Sequence, residues 1–139
     1  VYFCTEYCGA GHSVMKGIVN VVSDAEFDSF MEEEAGRDLD SMPLAELGEL
    51  IYARQGCQGC HTTDGSSRVG PSFAGLYENE RQFTDGTSQV ADENYLRESI
   101  LYPQDKVTQG YPNNMPNIYE AQLSERELDG LVEFIKELQ

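Results

Sequence analysis

The sequence has few basic residues and no long apolar run. Nine Lys and Arg stand against 25 Asp and Glu among 139 residues, for a formal net charge of −16 at pH 7. Such a chain would be repelled by phosphate groups, which argues against nucleic acids and anionic lipid surfaces as partners. No stretch of about 18 or more apolar residues occurs, so nothing here is expected to span a membrane. A signal peptide is also lacking, and because the chain begins at Val1 we expect a processed or excised piece of a protein.

The last cysteines and the last histidine of the sequence belong to one motif, Cys57-Gln58-Gly59-Cys60-His61. No Cys or His follows it. C-x-x-C-H is the spacing typical of covalent haem attachment, with the imidazole facing the iron. A zinc site would need four Cys or His ligands, and a redox dithiol would follow a strand, whereas the residues before Cys57 indicate a helix. A plain disulfide is the third alternative. The motif favours one haem c, held through thioethers to Cys57 and Cys60, with His61 as an axial ligand.

Only one methionine lies downstream of His61, and it is Met115 in the loop Tyr111-Pro112-Asn113-Asn114-Met115-Pro116. A lone Met is often core filler. Haem iron nevertheless needs a second axial ligand, and no other candidate is available. We therefore predict His61 and Met115 as the axial pair. Since haem attachment to this motif needs thiols presented outside the bacterial cytoplasm, we expect an extracytoplasmic location.

Apolar periodicity and capping residues predict three helices around this haem, and hence a mainly α fold. The first runs from Pro43 to Gln55 and the second from Glu93 to Leu101. The third begins at Ser124, which forms a capping box with Glu127. Long polar connections, including residues 78–91, separate these helices and are expected to lie as ordered loops on the haem.

The residues before Pro43 predict a different organisation. Residues 16–22 are rich in Ile and Val and indicate a strand. Ser23 and Glu26 form a second capping box, which opens a short helix ending near Gly36. We therefore divide the chain into residues 1–23, an acidic linker with a helix over 24–42, and a haem domain over 43–139.

A second motif near the N-terminus combines two thiols, an imidazole and a thioether: Cys4, Cys8, His12 and Met15, with Glu6 between the cysteines. Soft sulfur together with imidazole is the ligand set that copper prefers. A disulfide between Cys4 and Cys8, or two free thiols, is the alternative. The spacing closely resembles the binuclear copper (CuA) loop of cytochrome c oxidase subunit II. There the thiolates bridge two copper ions, His and Met each cap one, and the carbonyl of the residue matching Glu6 is also a ligand.

The copper loop followed by a haem motif resembles the C-terminal part of subunit II in caa-type oxidases. In that family a class I cytochrome c domain follows the CuA domain, so residues 1–23 would be the remnant of a cupredoxin-like β-barrel. The family copper site also uses an upstream His, so we expect an intact centre only in the parent protein. The resemblance implies three to five helices around the haem. It also implies a close crossing of the first and last helices at Gly48.

The same resemblance assigns roles around the haem. Pro71 would pack beside His61 and orient the imidazole through its carbonyl. Tyr77 and Tyr111 would be aromatics near the ring. Arg68 and Arg81 are candidates for the haem propionates, because Arg pairs well with carboxylates.

The implied function is one-electron relay from a donor, a soluble cytochrome or other small redox protein, through the haem to CuA and on to oxidase subunit I. The parent would be the oxygen-reducing, proton-translocating cytochrome c oxidase, and this piece would only carry electrons. The alternatives are a free-standing c-type shuttle or the haem domain of another copper enzyme, such as a nitrogen-oxide reductase. A haem peroxidase is disfavoured, because it needs an open iron site.

Overall fold

The computed structural model describes residues 1–3, 5 and 16–139. Contacts divide the chain into two compact units, Val1–Ser41 and Met42–Gln139. No helix among these described residues is long and apolar enough to cross a membrane. The candidate copper residues all lie outside the described part, and their assignment stays a prediction: Cys4, Glu6, Cys8, His12 and Met15.

The first unit contains two short strands and one helix. Strand β1 (Tyr2–Phe3) pairs antiparallel with β2 (Lys16–Gly17). Helix α1 (Asp24–Ala35) begins after Ser23, whose hydroxyl accepts from the backbone N–H of Glu26 while the Glu26 carboxylate accepts from the backbone N–H of Ser23. These reciprocal bonds satisfy two backbone donors at the helix start. The predicted capping box is confirmed.

The predicted strand over residues 16–22 is wrong beyond Gly17. Residues 18–23 have no regular structure, and Ile18, Val19 and Val21 expose most of their side-chain surface. A β-branched run forms a strand where a partner supplies ladder hydrogen bonds and a surface to pack against. Within the described residues, β1 pairs with only the first two positions of the run. The remnant of a cupredoxin-like barrel is therefore not confirmed.

The second unit is built on a pair of helices, α2 (Leu44–Arg54) and α5 (Glu125–Glu137), which lie where the sequence predicted them. They cross where two glycines meet. A Cβ atom on Gly48 would overlap the Gly130 carbonyl and lie 2.6 Å from Cβ of Phe134. Glycine permits this close approach of backbones. The largest fully buried side chains of the unit are Leu47, Ile51, Leu96 and Ile135.

Helix α3 (Glu93–Leu101) follows the predicted bounds, and the Asp92 side chain caps it by accepting from the backbone N–H of Tyr95 at 2.8 Å. A short helix, α4 (Tyr119–Gln122), precedes α5 and was not predicted. Its four residues are too few to show an apolar period.

The segment predicted as a polar loop over residues 78–91 contains a β-hairpin. Strand β3 (Glu80–Gln82) pairs antiparallel with β4 (Ser88–Val90). Gly86 takes a φ of 84° at the turn, which favours glycine. The Asp85-Gly86 pair was the available hairpin signal. The hairpin is held to residues 107–109, since Thr84 N–H donates to the Val107 carbonyl at 2.9 Å and Gln109 N–H donates to the Gln82 carbonyl at 2.8 Å.

Candidate haem site

The C-x-x-C-H motif folds into a tight turn directly after α2. Gly56 ends the helix with a φ of 72°, and a 3-10 turn follows over Cys57–Gly59. The backbone N–H groups of Cys60 and His61 both donate to the Cys57 carbonyl, at 3.1 and 2.8 Å. This local geometry brings the two thiols and the imidazole to the wall of one cavity. Neither Cys57 nor Cys60 is in a disulfide.

The cavity has a volume of about 360 Å³, within the range of about 300–1,000 Å³ for ligand and cofactor pockets. Buried side chains of α3 and α5, such as Leu96 and Leu131, form part of its apolar wall. Seven of the predicted haem residues line it: Cys57, Cys60, His61, Pro71, Arg81, Tyr111 and Met115. Residues far apart in sequence, including both candidate axial ligands, therefore face one space.

His61 is held in the form that an iron ligand requires. Its Nδ1 lies 2.7 Å from the Pro71 carbonyl oxygen, which accepts a hydrogen bond from Nδ1–H, so the proton stays on Nδ1 and Nε2 keeps its lone pair. Burial lowers the pKa of His61 below its ordinary value, while the hydrogen bond to Pro71 acts in the opposite direction. The net effect favours a neutral imidazole, and only the neutral ring can donate electrons to a metal.

Three further groups enclose His61, and no local sequence signal predicts their contacts. The Phe73 ring stacks on the imidazole, with ring centroids 4.6 Å apart and an interplanar angle of 19°. The Tyr52 hydroxyl donates to the His61 carbonyl at 2.6 Å. Gly70 lies so close that a Cβ there would be 2.6 Å from Cε1 of His61. The ring is therefore packed by backbone as well as by side chains.

The charged residues around the cavity suit an anionic ligand. Of the described residues that line it, none is Asp or Glu, and two are cations, Arg81 and Lys106. Nη2 of Arg81 is 3.4 Å from the Ser72 carbonyl oxygen. Lys106 was not singled out from the sequence, and its Nζ is already paired with Glu98 at 2.6 Å. Arg81 is thus the better placed of the two for a haem propionate.

Two predicted haem neighbours lie elsewhere. Arg68 is exposed and does not line the cavity, because its Nη1 donates to the Gln58 carbonyl at 2.7 Å. Tyr77 is also outside the lining, and its ring centroid lies 5.5 Å from Nζ of Lys136. Gly75, with a φ of 64°, turns the chain so that Leu76 lines the cavity instead. The cavity lining therefore gives no support to the expected place of Tyr77 near the haem ring, which stays a prediction.

The residues present fit a covalent haem. Two thiols stand beside an apolar cavity, a neutral imidazole and a thioether line the same space, and a cation offers a partner to propionate groups. The apolar wall suits a porphyrin, and nitrogen and sulfur ligands suit haem iron. When bound, the group supplies one-electron redox chemistry. Cys57 and Cys60 would tether it, and His61 and Met115 are the candidate axial ligands.

Most of the chain matches a known protein family. A profile of the cytochrome c family matches residues 45–139. A search of curated proteins found no match. Among 27 matching chains of solved structures is cytochrome cH from Methylobacterium extorquens, which is 22% identical. The match covers 67% of this chain and 97% of that one, with a TM-score of 0.49.

The chain belongs to the cytochrome c family. The second unit has the mainly helical class I cytochrome c fold, with the four α-helices α2 to α5, and α1 of the first unit is the fifth helix of the described residues. Membership implies a covalent haem c and an electron-transfer role for the matched domain.

Proposed function

We propose that this chain is the C-terminal part of subunit II of a caa-type cytochrome c oxidase. Its haem would take an electron from a small redox protein and pass it to CuA of the same subunit, on the way to the oxygen-reducing centre. The parent enzyme would reduce oxygen and translocate protons, anchored in the membrane with this domain on its extracytoplasmic side. The piece in hand would carry electrons without binding a substrate.

One observation carries this proposal: a copper-loop spacing precedes a cytochrome c domain on one chain. Thiols at Cys4 and Cys8, an imidazole at His12 and a thioether at Met15 stand before residues 45–139, which match the family profile. Two redox-metal motifs on one chain favour transfer between them over two unrelated roles. The copper assignment depends on spacing alone.

A carrier role for the haem domain is supported by the residues that line its cavity. Both candidate axial ligands, His61 and Met115, come from the protein. Ligation by both would leave no open position for a substrate, and a Met ligand raises the reduction potential. Both properties suit an electron carrier that feeds an oxidase.

The charge of the chain restricts the electron donor. A net charge of −16 would repel an acidic protein, so the donor should present a basic or neutral face. Attraction between exposed charges is screened by salt, with a Debye length of about 8 Å at physiological ionic strength. Donor association should therefore weaken as salt is raised.

The test is made in the assembled parent oxidase with Cys8→Ala, which removes one bridging thiolate from the copper loop. We expect the donor to reduce the haem as before, whereas re-oxidation of the haem by oxygen should slow at least about tenfold. Glu33→Gln, an exposed change on α1, is the matched control and should leave both rates unchanged. Re-oxidation at the parental rate in Cys8→Ala would overturn the relay to copper.

A free-standing shuttle, or the haem domain of another copper enzyme, is the second candidate. It is favoured by the compactness of Met42–Gln139, which forms a unit by its own contacts. The genomic sequence before Val1 separates the candidates. An oxidase subunit should encode membrane-spanning helices and the remaining copper histidine, whereas a shuttle should encode neither.

A further inference from the structure

We propose that Phe73 is a positioning residue that fixes the rotational orientation of the His61 imidazole and thereby tunes the haem iron. This role requires that the haem is attached to the chain, but it does not require that the chain belongs to an oxidase. It is distinct from the hydrogen bond of Pro71, which sets the tautomer and holds one atom of the ring.

A single hydrogen bond does not by itself fix the orientation of an imidazole ring. The Pro71 carbonyl accepts one hydrogen bond from His61, at Nδ1, and this bond alone resists tilting of the ring plane only weakly. Phe73 lies almost parallel to the imidazole, 19° from coplanar, with centroids 4.6 Å apart. This is a stacked arrangement, in which tilting one ring forces it against the other. Phe73 therefore restrains the motion that Pro71 allows.

Phe73 is itself fixed to the chain around His61. Its backbone N–H donates to the carbonyl of Thr62, the residue after His61, at 2.8 Å. Its ring centroid lies 5.8 Å from that of Tyr52, and the Tyr52 hydroxyl donates to the His61 carbonyl. Phe73 is only 9% exposed. Phe73 is thus linked to His61 twice, through its backbone by way of Thr62 and through its ring by way of Tyr52.

The orientation of an axial imidazole affects the iron through the overlap of ring and metal orbitals. The groups that orient a metal ligand change the properties of the metal, and axial ligation with its surroundings is a main determinant of haem potential. A leucine at position 73 would fill much of the same volume but offers no flat face. Removal of the aromatic ring should therefore change the g-values and the reduction potential of the iron, even where the core stays packed.

Phe134 supplies a matched control. It is also a phenylalanine that is 9% exposed, and it packs on Tyr52 with ring centroids 5.4 Å apart. It belongs to α5 and does not line the haem cavity. Phe134→Leu should therefore weaken the same core without releasing the imidazole.

The experiment compares Phe73→Leu with Phe134→Leu in the haem-loaded protein. Three quantities are measured: the g-values of the ferric iron by electron paramagnetic resonance, the reduction potential and the Tm. We expect Phe73→Leu to displace the largest g-value and shift the potential, whereas Phe134→Leu lowers Tm with both iron properties unchanged. Phe73→Tyr keeps the flat face and should restore the parental g-values.

Parental g-values and potential in Phe73→Leu, with a loss of Tm like that of Phe134→Leu, would show that Phe73 only fills the core. Should Phe73→Leu fail to mature with haem, Phe73→Met, which is apolar and of similar volume, serves for the same comparison. Parental g-values and a parental potential in Phe73→Met would also overturn the proposal.

Discussion

The backbone of Gly48 in α2 lies against the backbone of Gly130 in α5, with no room for a side chain between them. Each glycine would place a Cβ within 3.0 Å of backbone atoms of the facing helix. Because helix α2 leads directly into the C-x-x-C-H turn, this crossing sets where the haem motif stands relative to α5. The position of the haem site thus depends on the close crossing of α2 and α5.

Gly48→Ala should destabilise the haem-loaded protein, since the added methyl group overlaps the Gly130 carbonyl. Overpacking of a filled core costs about 1–3 kcal/mol, and for a domain of this size each kcal/mol lowers Tm by roughly 4–8 °C. The measurement is thermal unfolding followed by circular dichroism. Glu49→Ala is the control, because Glu49 is the next residue of α2 and is exposed. Equal Tm values for the two variants would contradict the close crossing.

Met115→Ala should lower the reduction potential and open the iron to small ligands such as azide or imidazole. The loss of a thioether ligand should lower the potential by on the order of 0.1 V, within the span of about 0.8 V that axial ligands cover. Redox titration and ligand-binding spectra measure the two effects. Met31→Ala, on the exposed part of α1, should change neither. A parental potential in Met115→Ala would exclude Met115 as a ligand.

Arg81→Gln should lower the reduction potential, whereas Arg68→Gln should not. A cation beside the haem favours the reduced state, which carries one positive charge fewer, so its removal should cost roughly tens of millivolts. Arg81 lines the cavity and Arg68 instead hydrogen-bonds the Gln58 carbonyl. Redox titration of both variants at one pH is the measurement. A larger shift for Arg68→Gln would reverse the assignment.

Acid should loosen the β3–β4 hairpin through Asp85. The hydroxyl and then the backbone N–H of Thr87 donate to its carboxylate and hold the pKa of Asp85 below the ordinary 3.8. Because the pKa of Asp85 is lower in the folded state, its carboxylate stabilises the hairpin fully above about pH 3.8. This stabilisation is lost as the pH falls through the folded pKa. NMR titration gives the pKa, and amide exchange of Thr87 gives the loosening. In Asp85→Asn the acid dependence of that exchange should vanish. A pKa of Asp85 at or above 3.8 would contradict the prediction.

Helix ends were predictable from sequence because their determinants are local. Ser23 with Glu26, and Ser124 with Glu127, lie three residues apart and form their caps without help from the rest of the chain. The strand over residues 16–22 failed for the opposite reason, since a strand depends on a partner that propensity does not supply.

The features of the haem site can also be divided into those set by local sequence and those set by distant contacts. Cys57, Cys60 and His61 form a contiguous motif whose chemistry is set by spacing. The stack of Phe73 on His61 joins residues 12 positions apart, and the crossing of Gly48 with Gly130, 82 positions away, was expected only through the family resemblance. Such pairs are determined by packing of the whole domain, and no period or motif in one segment contains them.

The cavity wall holds no carboxylate among its described residues, in a chain with 25 of them. Negative charge is therefore concentrated on the outside of the molecule, where water and ions weaken its effect on the iron. Substitutions that alter the outer charge could adapt the domain to a different donor while leaving its redox tuning intact. Recognition and potential can consequently evolve along separate lines.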